Sequence, residues 1–212
     1  MTLYDIHTHH HPEELGTAIV QISPMDFSPR PGHFYSVGLH PWEITDDWRV
    51  QMAKLFVMAQ HPQVLMIGEA GMDKKHGDAP LKLQMEVFHE HIRLSELVRK
   101  PLIIHCVKAI DELIGMRKSS HAIQSWILHG YRGGTEQWRQ LFRAGIRVSI
   151  GEHYNEKLVQ EIPADMLLLE SDECYDIDSI YESVSATTNV DKHGLQHLVG
   201  CNICNLIDCA SF

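Results

Sequence analysis

The sequence predicts an α/β fold, a (β/α)8 TIM barrel with abbreviated first two βα units, on three observations. Eight short β-branched or aliphatic runs recur along the chain: LYDIH (3–7), AIVQIS (18–23), FYSVGLH (34–40), VLMIGEA (64–70), PLIIHC (101–106), SWILHG (125–130), IRVSIGE (146–152) and MLLLESD (166–172). Several are almost wholly apolar at their N-terminal ends, as expected of parallel strands covered on both faces. Amphipathic stretches lie between most of them, and alternation of this kind builds a β/α barrel. An open doubly wound sheet is the alternative.

The first two connections, HHHPEELGT and PMDFSPRPGH, are too short for full helices, and the second is too rich in proline. After residue 34 the alternation is regular. Residues 46–60 form the first helical segment, with Asp46 and Asp47 as candidate caps. The next covers 80–99; Pro80 is a favoured first-turn residue, and Leu83, Val87, Leu94 and Val98 follow at helical spacing. Further helices are expected at about 108–118, 134–144, 154–161 and 192–208. The Arg143-Ala144-Gly145 step reads as a helix stop just before a strand. No repeat, linker or low-complexity tract divides the chain, so a single barrel domain over 1–212 is expected.

Composition narrows the class. With 44% hydrophobic and 22% charged residues, the chain reads as an ordinary globular protein. It has no apolar run of spanning length, so no membrane partner is expected. The opening MTLYDIHTHHHPEE has neither a basic nor an apolar signal region, which favours the cytoplasm. Five cysteines, an odd number, do not form a disulfide framework and agree with a reducing compartment. The formal charge of −10 repels polyanions, so action on nucleic acid requires bound cations or a local basic patch. Sixteen histidines call for explanation, since imidazole is the commonest side-chain metal ligand.

Polar residues collect at the C-terminal ends of the runs: His7 and His9, His40, Glu69, His105, His129, Glu152, Glu170 and Asp172. Those ends converge on the active-site face of a barrel. His7 and His9, two apart, point to one side of a strand and can reach one cation. Asp5 shares their face one layer deeper and can orient a ligand. Glu69 closes an apolar strand, where a carboxylate is costly unless paired or coordinated. Between Glu170 and Asp172, the latter lies nearer the mouth, with Glu170 beneath it as support. Imidazole and carboxylate donors without thiolate suit Zn²⁺, Mn²⁺, Fe²⁺ or, less well, Mg²⁺. Six candidate ligands exceed what one catalytic ion needs, and two ions bridged by a carboxylate use all six.

The segments DIHTH, SVGLHPWE, IGEAGMD, KPLIIHC, ILHGYRGG and LLLESD, in this order, resemble the successive signatures of the TatD family of metal-dependent hydrolases, within the amidohydrolase-like superfamily. The resemblance runs from residue 3 to about 175. It implies that His7 and His9 bind one metal, that Glu69 bridges two, that His105 and His129 bind the second, and that Asp172 binds the first and helps activate water. It places His40 near the substrate and implies hydrolysis of phosphate esters by a deoxyribonuclease or phosphodiesterase acting on DNA or a related substrate. The chain departs from the family pattern in its abbreviated first units and in ESD for the commoner ETD. Cys-Val-Lys follows His105 where the family often has Arg, which makes Lys108 the candidate phosphate contact. The C-terminal CNICNLIDCASF keeps the family ending only loosely.

Lys108, Arg132 and His40 are the substrate-side candidates, as they follow strand ends where phosphate oxygens would lie. Trp42 can stack a base or pack locally. His193, His197, Cys201 and Cys204 share a helical stripe but lie over three turns without a chain reversal, so they read as a packed helix rather than a zinc site. Cys106 is expected to point away from the interior. Two other functions fit the residues: a metallohydrolase acting on an amide, lactone or phosphomonoester, and a non-catalytic metal-binding barrel.

Overall fold

The computed structural model describes residues 3–207. Cys209 and the last residue of the helix expected to reach 208 lie outside the described residues. Seven strands form one curled parallel sheet in sequential order: β1 (Asp5–Thr8), β2 (Ala18–Ile22), β3 (Phe34–Val37), β4 (Val64–Asp73), β5 (Leu102–Val107), β6 (Trp126–Leu128) and β7 (Ile146–Val148). All neighbours pair in parallel. β4 is buried at every position, which explains why VLMIGEAGMD shows no polar alternation.

The eighth expected run, MLLLESD, is not a continuous strand. It leaves a 3-10 turn at Ala164–Met166 and touches its neighbours through two single bridges, Ile150 to Leu169 and Thr8 to Asp172. The backbone N–H of Ile6 donates to Leu169 O at 3.1 Å, and that of Asp172 donates to His7 O at 3.0 Å. Asp172 adopts φ 53°, outside the extended region, and this ends the pairing at that bridge. The segment therefore lies between the end of β7 and β1 without forming a ladder.

No helix follows β1 or β2 among the described residues, as the short connections require. The helices are α1 (Trp48–Met58), α2 (Leu81–Val98), α3 (Ile110–Ser120), α4 (Thr135–Arg143), α5 (Glu156–Glu161), α6 (Ile177–Thr188) and α7 (Lys192–Ile207). Asp47 occupies the α1 cap position but makes no side-chain capping bond. Pro80 is the N-cap of α2, one residue ahead of the first turn where the sequence places it. Gly145, at φ 76°, follows the end of α4 in a left-handed conformation, as the Arg143-Ala144-Gly145 step requires.

α6 has no counterpart among the expected helices. Its Ser- and Thr-rich composition masks Ile177, Ile180, Tyr181 and Val184, whose spacing is helical. Its start is fixed by Asp176, which accepts the Ser179 N–H at 3.1 Å. α7 is tied to the eighth segment by Asn202, whose Nδ2 donates to Ala164 O at 2.8 Å and Leu167 O at 2.9 Å. No helix among the described residues is long and apolar enough to cross a membrane.

The core runs continuously from the inner face of the sheet to the helices, with Tyr35, Ile67, Phe88, Trp126, Leu168 and Tyr181 among its fully buried members. This packing leaves the polar strand ends as a single layer at one end of the sheet.

Candidate metal centre

Glu69 lies at the middle of that layer. Its carboxylate is almost fully buried, and each oxygen faces a different group of side chains. Oε2 lies 3.5 Å from His7 Nε2 and 3.3 Å from His9 Nε2, and both imidazoles also approach Asp172 Oδ1, at 3.6 and 3.5 Å. Oε1 lies 2.8 Å from His105 Nδ1, 2.8 Å from His129 Nε2 and 3.4 Å from His40 Nε2. The expected residues thus form two adjoining groups that share one carboxylate. The donor atoms of His7, His9 and Asp172, of His7, Glu69 and His129, and of His40, Glu69 and His105 each fall within 4.8 Å of one another.

Backbone geometry brings these residues this close. Gly71 adopts φ 152° on β4, and a Cβ there would run into the His105 carbonyl of β5. A Cβ at Gly38 would lie 2.5 Å from the Glu69 carbonyl. Both glycines let the strands carrying the site approach one another. Behind the site, Leu39 N–H donates to His91 Nε2 at 3.0 Å, which holds the turn leading to His40. His91 is fully buried, and burial pushes its pKa down to about 4, so it works as a neutral acceptor.

Hydrogen bonds assign the tautomers of His105 and His40. His105 Nε2 lies 3.1 Å from Asp73 Oδ2. Burial raises the Asp73 pKa, but backbone N–H groups, His105 and Trp42 outweigh it and hold the carboxylate well below the usual range. An ionised carboxylate accepts only, so Nε2 carries the hydrogen and the Nδ1 lone pair points at Glu69. His129 Nε2 faces the same Glu69 oxygen, while its Nδ1 lies 3.4 Å from Glu170 Oε1 without a hydrogen bond of good geometry. His40 differs: its Nδ1 accepts the Trp42 backbone N–H at 3.2 Å, so its Nε2 carries hydrogen and acts as a donor.

Two imidazole nitrogens 2.8 Å from one carboxylate oxygen need a cation or protons among them, since the lone pairs otherwise repel. The charge balance points the same way. Burial and His129 lower the His7 pKa, yet Asp172 and Glu69 raise it to about 9. For His129, burial is outweighed by Glu69 and Glu170, and the pKa stands well above its ordinary value. His7 is fully buried, and neither ring nitrogen has a hydrogen-bond partner of good geometry. Orphaned buried imidazole nitrogens beside carboxylates suit divalent cations, so the donor set fits the metals that the sequence implies.

Asp5 acts on the backbone rather than on a ligand ring. Its Oδ1 accepts the N–H groups of His7 at 3.2 Å and Ser171 at 3.1 Å, and Oδ2 accepts Ser171 Oγ at 2.6 Å. Burial pushes its pKa up to about 7 against the pull of these donors. Glu170 is buried under the site and accepts a short hydrogen bond from Ser149 Oγ, the supporting position expected of it. Glu152, by contrast, is exposed and sits beside His153. Cys106 packs against the core, and burial pushes its thiol up to about 12.

The centre opens into a cavity of about 310 Å³ lined by His9, Gln21, His40, Trp42, Glu43, Glu69, His105, His129, Asp172 and Glu173. None of these described lining residues is Lys or Arg. Arg132 is exposed on an adjoining cavity of about 150 Å³ that shares Asp172 and Glu173, and exposed Lys108 lines neither cavity. The structure therefore brings His40 to the mouth and leaves Lys108 outside it. The His193, His197, Cys201 and Cys204 stripe borders a separate cavity beside Leu3 and Tyr4 and forms no metal-binding group among the described residues.

Asp73 is the site residue that sequence reasoning missed. It ends β4 two and four residues beyond Gly71 and Glu69, and this even spacing on a strand was the available signal.

Comparison with known proteins places the chain in a family. The model of the TatD related DNase family matches residues 28–197, so His7 and His9 lie ahead of the matched segment. A metal-dependent hydrolase of Buchnera aphidicola is 32% identical over 148 residues, covering 66% of this chain and 56% of that protein. The 3'-5' ssDNA/RNA exonuclease TatD of Erwinia billingiae is 28% identical over 157 residues, covering 69% and 60%. The chain thus spans little more than half the length of these relatives. The solved structure of the TatD homologue YJJV from Escherichia coli shares the fold, with a TM-score of 0.80 at 18% identity over 91% of this chain and 86% of that one. The chain belongs to the TatD-related DNase family.

Proposed function

We propose that this protein is a metal-dependent phosphodiesterase, a deoxyribonuclease of the TatD type, built on an eight-stranded barrel with the 166–172 segment in the eighth position. The observation that carries the reading is the placement of Glu69, whose two oxygens each face a separate group of imidazoles. In this reading His7, His9 and Asp172 would hold one ion, His105 and His129 would hold a second, and Glu69 would serve both. Zn²⁺, Mn²⁺, Fe²⁺ and Mg²⁺ are the candidate metals, and of the one or two ions such a donor set can take, two use all six ligands.

Bound divalent ions supply a nucleophile from water at neutral pH and neutralise phosphate oxygens. The chain's own residues do the rest. Asp172 Oδ1 faces His7 and His9, and the side chain keeps 25% exposure toward the cavity, so its carboxylate can take a proton from the attacking water. His40, with hydrogen on Nε2, donates to a non-bridging phosphate oxygen. Arg132 reaches the chain flanking the scissile phosphate from the adjoining cavity. With no Lys or Arg lining the central cavity and a net charge of −10, phosphate recognition rests on the ions and His40. The relatives named as single-strand exonucleases favour single-stranded DNA or RNA as substrate.

A substrate panel tests the reading: bis-p-nitrophenyl phosphate, a single-stranded oligonucleotide, a phosphomonoester, a lactone and an amide, each with Mn²⁺, Zn²⁺ or Mg²⁺. Turnover of the two phosphodiesters ahead of the others is expected. Turnover confined to the lactone or amide contradicts it, and inactivity with every substrate and metal leaves a metal-binding barrel without catalysis.

A further inference from the structure

Asp73 joins two features that the metal chemistry alone does not connect. It is 2% exposed and accepts from three directions. One oxygen, Oδ2, receives the Trp42 indole Nε1–H at 2.8 Å and lies 3.1 Å from His105 Nε2 and 3.3 Å from the half-exposed His76 Nδ1. The other, Oδ1, receives the backbone N–H groups of Lys75 at 2.7 Å and His76 at 3.0 Å. Its own backbone is clamped by Gln84, whose Oε1 accepts the Asp73 N–H at 2.7 Å and whose Nε2 donates to Asp73 O at 3.0 Å. So many fixed contacts leave the carboxylate one orientation.

Trp42 is an unusual partner for a buried carboxylate, because the residue is 52% exposed. It lies at the mouth of the central cavity, in T-shaped contact with His40 at 4.7 Å between ring centres and with His76 and His105 at 5.6 Å. An exposed indole whose polar atom is already satisfied offers a flat apolar face held at a set angle. A planar nitrogen heterocycle fits such a face, and stacking is the sequence-tolerant way to hold a base of a single strand.

We propose that Asp73 is a positioning residue that sets the second ion site and a nucleobase platform together: it fixes His105 with its Nδ1 free to ligate and fixes the Trp42 ring to stack the base next to the cleaved phosphodiester. The platform rests on the nucleic-acid reading above, whereas the effect on His105 does not. Carboxylates that accept from a ligating imidazole typically change metal affinity about 10- to 100-fold. An Asn at position 73 cannot accept from both N–H groups through the one oxygen they now share while also receiving the turn amides.

The test uses chelator-stripped full-length protein and two readouts. The first is Mn²⁺ binding by calorimetry. Asp73→Asn is expected to weaken one binding event about 10- to 100-fold, while Trp42→Phe, which leaves the Asp73–His105 contact in place, binds Mn²⁺ as wild type does. The second is binding of a twelve-residue oligothymidylate, and of an abasic strand of equal length, in Ca²⁺ with strand integrity checked on a gel. Trp42→Ala is expected to weaken the thymidylate strand about 5- to 100-fold and to leave the abasic strand unchanged. Asp73→Asn is expected to move both readouts. Wild-type Mn²⁺ affinity in folded Asp73→Asn overturns the positioning role. Equal weakening of both strands by Trp42→Ala, or none, overturns the platform. If Asp73→Asn does not fold, as judged by circular dichroism, Asp73→Ser combined with Trp42→Phe decides the ion arm by the same criterion. A wild-type protein that binds Mn²⁺ but neither strand defeats the nucleic-acid reading itself, which separates that failure from a failure of the Asp73 role.

Discussion

Asp5 and Ser171 are joined twice, by Ser171 Oγ to Oδ2 at 2.6 Å and by Ser171 N–H to Oδ1 at 3.1 Å. The pair fastens β1, which carries His7 and His9, to the segment that carries Asp172. Ser171→Ala removes the hydroxyl donor and leaves a fully buried carboxylate under-satisfied. A loss of about 1–3 kcal/mol is expected, measurable by urea unfolding. Activity is also expected to fall, because Asp172 follows Ser171 directly.

Asp172→Asn keeps the shape of the side chain and removes its basicity. The kcat on bis-p-nitrophenyl phosphate is expected to drop about 10²- to 10⁴-fold, with an unchanged circular dichroism spectrum. Wild-type turnover in this variant removes Asp172 from the chemistry.

His91 gives the fold an acid-sensitive point. Its folded pKa, pushed down to about 4 by burial, lies below the ordinary 6.5. Between these values the unfolded chain binds a proton that the folded chain does not, so stability falls as pH drops from 6.5 toward 4. The contribution is on the order of 3 kcal/mol and is fully present above pH 6.5. In EDTA, the urea midpoint of wild type is expected to fall more between pH 7 and pH 5 than that of His91→Gln. Equal falls contradict this origin.

Metal removal has a thermodynamic signature separate from activity. Ions that bind only the folded chain stabilise it by about 2.7 kcal/mol when present at a hundredfold excess over Kd. The thermal midpoint is expected to fall on EDTA treatment and to recover with Mn²⁺ or Zn²⁺, in parallel with turnover. Glu69→Gln is expected to blunt that recovery, since each oxygen of Glu69 faces a different histidine group.

The strands β1–β7 and six of the seven helices were legible because apolar runs and their polar ends follow directly from burial. α6 was not, because Ser and Thr dilute its apolar stripe. The eighth run looked like its predecessors in sequence, yet the φ of 53° at Asp172 interrupts pairing at a point no periodicity reveals. Within the site, Glu69, His105 and His129 stood out as lone polar residues after apolar runs, although β4 and β5 continue past Glu69 and His105 to Asp73 and Val107. The same rule admitted Glu152, which points to solvent, since strand position alone does not specify which way an end residue turns. Asp73 escaped notice because its partners, Trp42 and His105, lie 31 and 32 residues away and meet only through the tertiary fold. Lys108 was placed by its distance from His105 along the chain, but its left-handed backbone at φ 57° accompanies a side chain that does not line the cavity.

The central claim is that Glu69 bridges two ions. Crystals grown with Mn²⁺, with anomalous differences collected near the manganese edge, test it most directly. The account expects two peaks, one between Glu69 Oε2 and the His7, His9 and Asp172 group, the other between Oε1 and the His105 and His129 pair. A single peak held by His7, His9 and one carboxylate, with none beside His105 and His129, contradicts it.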